Sequence, residues 1–417
     1  MHWTGFWVYW EAKIADFHQN GVVSTLHNIS NRSAKDLEKE LIVFSKNRPI
    51  DLILPSLYSE IEGPALKNII EILSQVKYLN HITIGLDKAD NKQFRNAKEF
   101  FSNLKQPHSV IWNDGPRMKA LDRELNKKGL APGEPGKGKN VWYCMGYVLA
   151  RDEARSIALH DCDILTYDRE LLARLVYPVA NPLFNYEFCK GYYPRVGNNK
   201  LNGRVTRLLV TPLLKALKKV LGQRDYIEFI DVFRYPLAGE FSFRSRMLKE
   251  LRIPSDWGLE IGILSEMQRN HAQNRICQVD IAKVYDHKHQ DVSLKDKEKG
   301  LSKMSIDISK TLIRKLAAQG DTFTSNNLRT IKATYYRTAL DLLEIYHNDA
   351  KLNGLDININ DEEIMIEMFA NNIIVAGQEF LDKPNHNPLT PNWNRVQNTM
   401  PDFKEKFIKA VTEDSKI

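Results

Sequence analysis

The 417-residue sequence is poor in cysteine and has no paired cysteine motif. Its four cysteines, Cys144, Cys162, Cys189 and Cys277, include no CxxC pair. This spacing excludes the usual structural zinc patterns and gives no basis for a disulfide framework. We therefore expect reduced thiols in a cytoplasmic protein.

Long hydrophobic runs are also missing. The longest apolar stretch, residues 141–150, is about half of the roughly 20 residues that a membrane-spanning helix needs. The first 13 residues carry aromatic side chains but lack the basic and apolar regions of a signal peptide. The sequence thus predicts a soluble protein without a membrane span.

The charge balance is only slightly basic. Lys and Arg total 59 against 52 Asp and Glu, which gives a net charge of +7. The basic residues are dispersed, whereas a nucleic-acid-binding module needs basic and aromatic residues clustered on one element. We expect no nucleic-acid partner, and a small anionic substrate suits this surplus of positive charge.

Short apolar runs alternate with helical stretches in the first two thirds of the chain. Predicted strands cover residues 51–55, 81–87, 108–112 and 156–163. This alternation favours a parallel α/β sheet with a ligand crevice at the carboxyl ends of its strands.

The chain is predicted to have three parts. These are an N-terminal extension (1–50), a catalytic α/β domain (51–290) and a helical C-terminal region (291–417), where amphipathic stretches replace strand-like runs.

Several familiar phosphate-binding and metal motifs are absent. No GxGxxG follows the first predicted strand, where PSLYSEIEG stands instead, so a dinucleotide-dependent dehydrogenase loses its main support. Asn140 after Lys139 rules out a Walker A loop, and no HExxH supports a zinc hydrolase. A sugar-phosphate nucleotidyltransferase stays an alternative, although its glycine- and arginine-rich loop is not found.

The most suggestive constellation is His160-Asp161-Cys162-Asp163, at the end of an apolar strand. Two carboxylates spaced in this way can share one divalent cation, and their hard oxygens suit Mg²⁺ or Mn²⁺. His287 could complete the metal shell late in the chain. The alternatives are a solvated loop at the strand end and a surface histidine.

Three further segments could contact anions or sugars. Lys137, between two glycines at a predicted helix start, could neutralise a diphosphate, and Gly203-Arg204-Val205-Thr206 could bind a phosphate or carboxylate. Glu240 could accept a hydrogen bond from a sugar hydroxyl or could simply start the next helix. A flexible basic turn and ordinary helix capping are the corresponding alternatives.

Together, these motifs occur in an order that resembles a known enzyme family. PSLYSE, LDKAD, GKG, HDCD, NGRVTRLL, PLAGE, WGLEIGIL and DHKH follow one another over roughly residues 51–290. This order is similar to that of the retaining glucosyl-3-phosphoglycerate synthases, which have the GT-A glycosyltransferase fold. The resemblance implies an α/β fold with a GT-A type nucleotide-sugar-binding sheet flanked by helices and, here, a helical C-terminal extension.

The resemblance also implies a reaction and an assembly. Members transfer glucose from UDP-glucose to 3-phosphoglycerate with Mg²⁺ or Mn²⁺, retain the anomeric configuration, and typically form homodimers. A nucleotide-sugar donor and a small anionic acceptor are therefore the expected partners. GDP-mannose as donor and glycerate as acceptor remain alternatives.

Individual roles carry over by position in the motifs. The implied metal ligands are Asp161, Asp163 and His287, and Lys137 lies near the donor diphosphate. The remaining implied binding residues are Pro55, Leu57, Glu60 and Asp87 on the nucleoside side, Gly203, Arg204, Val205 and Thr206 at the acceptor phosphate, Glu240 at the transferred sugar, and His289. Of these, Asp163, Glu240 and Lys137 are the expected catalytic residues.

The chain departs from the family pattern in its last motif. Tyr285 stands where the family has an arginine, His289 where it has an asparagine, and Gln290 where it has a second arginine. Two positive charges near the acceptor are thereby missing, while Arg204 and Lys288 remain.

Overall fold

A mixed eight-stranded sheet occupies the centre of the protein in the computed structural model. The structure describes residue 19 and residues 21–30, 32–287, 300–384 and 389–417. The strands are β1 (Ser24–Leu26), β2 (Ile50–Leu57), β3 (Leu79–Asp87), β4 (His108–Trp112), β5 (Ser156–Leu159), β6 (Phe188–Tyr192), β7 (Val196–Gly197), β8 (Lys200–Leu201), β9 (Phe241–Arg244) and β10 (Ile276–Asp280). The sheet order is β1-β10-β6-β9-β5-β2-β3-β4, and β7 and β8 form a separate hairpin.

The helices cover both faces of the sheet and make up the C-terminal part of the chain. They are α1 (Ala34–Ser45), α2 (Tyr58–Ile61), α3 (Pro64–Leu73), α4 (Asn91–Phe101), α5 (Pro116–Lys127), α6 (Lys137–Arg151), α7 (Arg169–Ala180), α8 (Thr211–Leu221), α9 (Asp225–Asp231), α10 (Leu259–Asn270), α11 (Gly300–Ala318), α12 (Ser325–Leu352), α13 (Ile359–Asp382), α14 (Trp393–Thr399) and α15 (Phe403–Asp414). A π-helical turn, Val205–Val210, leads into α8.

The buried strands follow from near-continuous apolar runs, as expected for a sheet covered on both faces. In β2, Leu52 and Leu54 pack into the hydrophobic cluster on one face, and Ile53 packs into the cluster on the other face. The predicted strands at 51–55, 81–87 and 108–112 are confirmed. The fourth ends at Leu159, so the HDCD segment, residues 160–163, leaves the sheet at its carboxyl edge.

The sheet is parallel, as the sequence predicts, except at one strand. β9 runs antiparallel to both of its neighbours, β5 and β6, while the other neighbouring pairs of this sheet are parallel. The segment after Glu240 therefore forms a strand and not the helix that the sequence left open. FSFR alternates aromatic and polar residues over only four positions, which is too short to reveal this strand by pattern alone.

Residues outside the predicted catalytic segment also contribute to the sheet and its packing. β1 lies in the N-terminal fifty residues and pairs with β10. In the C-terminal region, α15 packs on α5 and α6, and α11 packs on α10. The division into three parts stays a prediction.

None of the helices in the described ranges combines the length and apolarity that crossing a lipid bilayer requires.

Candidate active site

A cleft of about 860 Å³, including the space at its open mouth, lies beyond the carboxyl ends of the central strands. Its walls combine cationic, acidic and apolar side chains. Within the described chain they are Lys137, Asp161, Asp163, Arg195, Asn202, Gly203, Arg204, Val205, Tyr235, Leu237, Trp257, Glu260, His287, Leu301, Met304 and Ile308. The cleft thus brings together sequence segments that lie up to about 170 residues apart.

The two aspartates of the HDCD motif follow β5 directly and face the cleft. Asp161 accepts a 2.6 Å ion pair from Lys137 Nζ, which also lies 2.9 Å from Glu260 Oε1. Burial alone would raise the pKa of Asp161, but the Lys137 charge and hydrogen bond lower it. Burial likewise opposes the charge of Lys137, and the two carboxylates raise its pKa well above the usual value.

Lys137 lies at a helix start, as predicted, because it is the first residue of α6. At Gly138 a Cβ atom would lie 1.9 Å from the carbonyl oxygen of Pro254. This glycine therefore allows the helix start to pack directly on the loop before α10. The GKG motif consequently positions the lysine, and it does not form a free loop.

His287 reaches the aspartates through backbone pairing between two distant segments. A β-bridge joins Ile164 to His287, and the Leu165 N–H donates to the Asp286 carbonyl at 2.9 Å. His287 Nδ1 consequently lies 3.6 Å from Asp163 Oδ2. The structure thus brings two of the three predicted metal ligands face to face.

The surroundings of Asp163 suit a cation. Its Oδ1 atom is buried and has no hydrogen-bond partner in the described chain. Burial, with repulsion from Asp161 and Glu60, raises the pKa of Asp163 to about 8. A divalent cation would satisfy the buried oxygen and offset this repulsion.

The predicted metal ligands do not form a ready cluster, however. Across the described ranges, no three His, Cys, Asp or Glu side chains are assembled so that they could hold a metal ion. The Asp161 carboxylate is paired with Lys137 instead. The three-residue ligand set therefore stays a prediction.

The Gly203–Thr206 segment leads into the π-helical turn and contributes to the wall of the cleft. Gly203 has a φ of +74°, a left-handed conformation that favours glycine. Gly203, Arg204 and Val205 line the cleft, whereas Thr206 is buried in the π-helical turn and does not. Burial lowers the pKa of Arg204, and the nearby charge of Arg207 adds to this effect.

Arg195 is a cleft residue that sequence reasoning missed. Its guanidinium donates to the Tyr235 hydroxyl at 3.0 Å and lies 5.6 Å from the ring centroid of Tyr285. Arg195 therefore brings a positive charge next to Tyr285, the residue that stands where the sequence resemblance implies an arginine. No motif marked Arg195, because its place depends on the hairpin β7–β8.

Glu240 lies beneath the cleft surface and is not among the residues that line it. Its side chain is fully buried and accepts hydrogen bonds from the hydroxyls of Tyr193 and Tyr285, the latter at 2.6 Å. Burial, followed by the charge of Asp161, raises the pKa of Glu240. The predicted contact of Glu240 with the transferred sugar stays a prediction.

The predicted nucleoside-side residues occupy the same edge of the sheet but lie outside the cleft lining. Pro55 pairs with Gly85, and Leu57 pairs with Asp87, across β2 and β3. Asp87 accepts a 2.7 Å hydrogen bond from Asn113, and its burial raises its pKa to about 6.

Glu60, on α2, lies near enough to contribute to the raised pKa of Asp163. His289, the last predicted binding residue, lies outside the described residues.

Helix α11 lines part of the cleft with apolar side chains that were not predicted as site residues. Leu301, Met304 and Ile308 recur at helical spacing and face the cleft. The C-terminal region thus supplies part of the site wall in addition to its own helical packing.

Comparison with known proteins gives close relatives of nearly full length. The chain is 46% identical over 402 residues to the glucosyl-3-phosphoglycerate synthase of Persephonella marina, covering 96% of this chain and 99% of that protein. It is 40% identical over 405 residues to the enzyme of the same name from Methanococcoides burtonii, covering 96% and 98%. No protein-family model matches the chain.

Solved structures show the same fold. The Mycobacterium tuberculosis glucosyl-3-phosphoglycerate synthase in complex with Mn²⁺, UDP-glucose and phosphoglyceric acid matches with a TM-score of 0.52 and 21% identity, over 72% of this chain and 89% of that chain. The predicted GT-A fold class is thereby confirmed. With the curated relatives, it follows that the chain belongs to the glucosyl-3-phosphoglycerate synthase family of glycosyltransferases.

Proposed function

We propose that this protein transfers glucose from UDP-glucose to 3-phosphoglycerate, with retention at the anomeric carbon and with Mg²⁺ or Mn²⁺ as cofactor. The names of the full-length relatives support the reaction. The complex of the Mycobacterium tuberculosis enzyme supports the donor, the acceptor and the metal. The protein is further proposed to act as a cytoplasmic homodimer, as the sequence resemblance implies.

One observation carries the proposal: a single cleft joins an acidic pair to separate cationic groups. Asp161 and Asp163 lie in the same cleft as Lys137, and the Gly203–Arg204 turn forms another part of its wall. A nucleotide-sugar diphosphate needs cations at its leaving group, and a phosphorylated acceptor needs a second anion site. This cleft offers groups for both.

The donor atoms of the three predicted ligands suit a divalent metal, which would take the place of Lys137 at Asp161. Asp161, Asp163 and His287 would hold it, because carboxylate oxygens and an imidazole nitrogen suit Mg²⁺ and Mn²⁺. When bound, the metal would neutralise charge on the donor diphosphate. Lys137, held by α6 and paired with Asp161, would add a second positive charge at the leaving group.

The proposed transfer occurs on one face of the sugar. The bond from the anomeric carbon to the β-phosphate oxygen breaks, and the bond from the acceptor hydroxyl forms on the same side. The acceptor proton passes to the departing phosphate oxygen, so UDP leaves with it.

The carboxylates that line the cleft have other tasks, which favours this route over a covalent intermediate. In the described chain they are Asp161, Asp163 and Glu260. Asp161 and Glu260 are both paired with Lys137, and Asp163 is assigned to the metal. Glu240 is held below the surface by two tyrosine hydroxyls, from where it would orient the sugar side of the site.

The remaining predicted residues complete the assignment. The uridine end of the donor would bind at the carboxyl ends of β2 and β3, where it would contact Pro55, Leu57, Glu60 and Asp87. Gly203, Arg204, Val205 and Thr206 would form the acceptor-phosphate turn. His289 is proposed to contribute to the same acceptor side.

A nucleoside diphosphate release assay tests the function directly. Purified protein would receive UDP-glucose or GDP-mannose, each with 3-phosphoglycerate or glycerate, with Mg²⁺ and then with chelator. Metal-dependent UDP release with UDP-glucose and 3-phosphoglycerate is expected. Release only with GDP-mannose or only with glycerate would contradict the proposed specificity.

Two variants test the proposed metal ligands. We expect Asp163→Ala and His287→Ala to lose most turnover, even at saturating metal. Wild-type turnover in either variant would contradict the ligand assignment. Nuclear magnetic resonance of the product anomer would separately test retention.

A further inference from the structure

Arg195 has no assigned role in the proposed reaction, although it lines the cleft beside the acceptor turn. Resting on the proposed function, we propose that Arg195 binds the carboxylate of 3-phosphoglycerate, while Arg204 binds its phosphate. Arg195 would thereby determine the preference of the enzyme for an acceptor that carries a carboxylate next to the reacting hydroxyl.

The backbone fixes Arg195 against the acceptor turn. The Asn202 N–H donates to the Arg195 carbonyl at 2.7 Å, and a Cβ atom placed on Gly203 would lie 3.3 Å from Arg195 Cβ. On its other side, Arg195 forms a β-bridge with Tyr285. The side chain therefore starts from a defined position between the turn and the tyrosine.

The guanidinium is held by aromatic groups and not by an acid. Arg195 contacts the Tyr235 hydroxyl and lies over the rings of Tyr235 and Tyr285. No ion pair to Asp or Glu is formed by Arg195 within the described ranges, and its buried Nε atom has no hydrogen-bond partner there. A half-buried arginine without an acidic partner suits an anionic ligand, because a planar guanidinium matches a carboxylate in geometry.

The position of Arg195 distinguishes the two anionic ends of the acceptor. In 3-phosphoglycerate the carboxylate is attached to the carbon that carries the reacting hydroxyl, and the phosphate lies one carbon further away. Arg195 stacks on Tyr285, whose hydroxyl donates to Glu240 on the proposed sugar side. Arg204 instead points towards Met365 of α13, with Nη1 3.8 Å from Sδ. We therefore assign binding of the acceptor carboxylate to Arg195.

The test compares acceptors that differ in one anionic group. KM is measured for 3-phosphoglycerate, and the inhibition constant is measured for glycerol 3-phosphate, which has the phosphate but no carboxylate. The variants are Arg195→Gln and Arg204→Gln. Arg234→Gln is the matched control, because Arg234 also lies over a tyrosine ring, that of Tyr192, but is exposed and outside the cleft.

Arg195→Gln should raise KM for 3-phosphoglycerate about 10- to 100-fold, the range expected for a lost charge-assisted hydrogen bond. Its inhibition constant for glycerol 3-phosphate should change little. The variant should therefore lose the preference for 3-phosphoglycerate over glycerol 3-phosphate. Arg204→Gln should weaken both ligands, and Arg234→Gln should weaken neither. KM for UDP-glucose should stay near the wild-type value in Arg195→Gln, which shows that the variant is folded.

The Arg195→Lys variant supplies a second measurement if the glutamine variant does not fold. It keeps the charge but loses the planar pair of donors. KM for 3-phosphoglycerate should therefore still rise, while the inhibition constant of glycerol 3-phosphate should stay near the wild-type value. Equal weakening of both ligands, or no weakening, would overturn the assignment. A wild-type enzyme inactive with 3-phosphoglycerate would instead overturn the proposed function, and this inference with it.

Discussion

At the scale of single residues, the site depends on a cation shared by two acids. Lys137 lies between Asp161 and Glu260, from the HDCD motif and the start of α10. The sequence identified the lysine and the aspartate separately, through motifs 24 residues apart. Their contact was not predictable, because it requires α6 to pack against the loop at Pro254.

We expect Lys137→Gln to lower kcat for UDP release about 100-fold, because the charge proposed to neutralise the leaving diphosphate is lost and Asp161 and Glu260 then repel each other. Lys139→Gln is the matched control, since Lys139 lies on the same helix but pairs with Asp122 at 3.1 Å, outside the cleft. Steady-state turnover at saturating substrates checks both variants. Equal turnover in the two variants would contradict the role of Lys137.

A buried carboxylate far from the reaction should make stability depend on pH. Burial raises the pKa of Asp51, at the start of β2, to about 6, and Asn80 only partly offsets this by donating a hydrogen bond. The unfolded chain ionises Asp51 near pH 4, so the folded state binds more protons between about pH 4 and pH 6. The contribution of Asp51 is therefore fully present at low pH and is lost as pH rises through 6.

The Asp51→Asn variant tests this dependence. Its free energy of unfolding, relative to wild type, should rise by up to about 3 kcal/mol between pH 4 and pH 7. Any cost of the buried amide itself should be independent of pH. Denaturant unfolding at several pH values measures the difference, with the exposed Glu99→Gln as control. A difference that stays constant with pH would contradict the expectation.

At the scale of elements, helix α13 of the C-terminal region holds the Gly203–Thr206 segment, which we propose to bind the acceptor phosphate. Arg207, in the π-helical turn, forms two hydrogen bonds with Glu362 of α13, at 3.0 and 2.6 Å. The same guanidinium donates to the carbonyls of Leu201 and Asn202 at 3.0 and 2.8 Å. This buried network positions the backbone that precedes Gly203.

Removing one partner of this buried pair should disturb acceptor binding more than donor binding. We expect Glu362→Gln to raise KM for the acceptor about tenfold while KM for UDP-glucose changes little. The reason is that the buried charge of Arg207 then lacks its negative partner. Glu363→Gln is the matched control, since Glu363 is the next residue of α13 but is exposed. Parallel changes in both KM values would show a general structural defect instead.

At the scale of the whole molecule, the last helices return to the helix that carries Lys137. Trp393 stacks on Trp142 of α6 with ring centroids 4.0 Å apart, and Trp142 Nε1 donates to the Pro391 carbonyl at 2.8 Å. Gly146 makes room for the indole, since a Cβ there would lie 2.1 Å from Trp393 Cζ2. The C-terminal segment is therefore part of the core around α6.

We expect Trp393→Ala to lower the free energy of unfolding by about 3–5 kcal/mol, because it empties a fully buried, stacked aromatic site. Leu352→Ala is the control in the same C-terminal region, since Leu352 is 86% exposed and its truncation should cost far less. Denaturant unfolding of both variants checks the difference. Equal losses would show that the contact with α6 adds little stability.

The sequence by itself determined the fold class, the main parallel strands and seven of the residues that line the cleft, among them Lys137, Asp161 and Arg204. Apolar runs such as 81–87 are long enough to specify buried strands. The motif order around Asp161, Arg204 and Glu240 pointed to the family. These features are local in the chain, so a single sequence displays them.

Only the tertiary structure decided which of these residues meet. The antiparallel β9, the pairing of His287 with Asp163, the burial of Glu240 and the place of Arg195 each depend on contacts between distant segments. Such contacts form because the sheet and its helices must bury their apolar faces together. No local pattern records the resulting distances, and they determine which side chains can reach a substrate in the cleft.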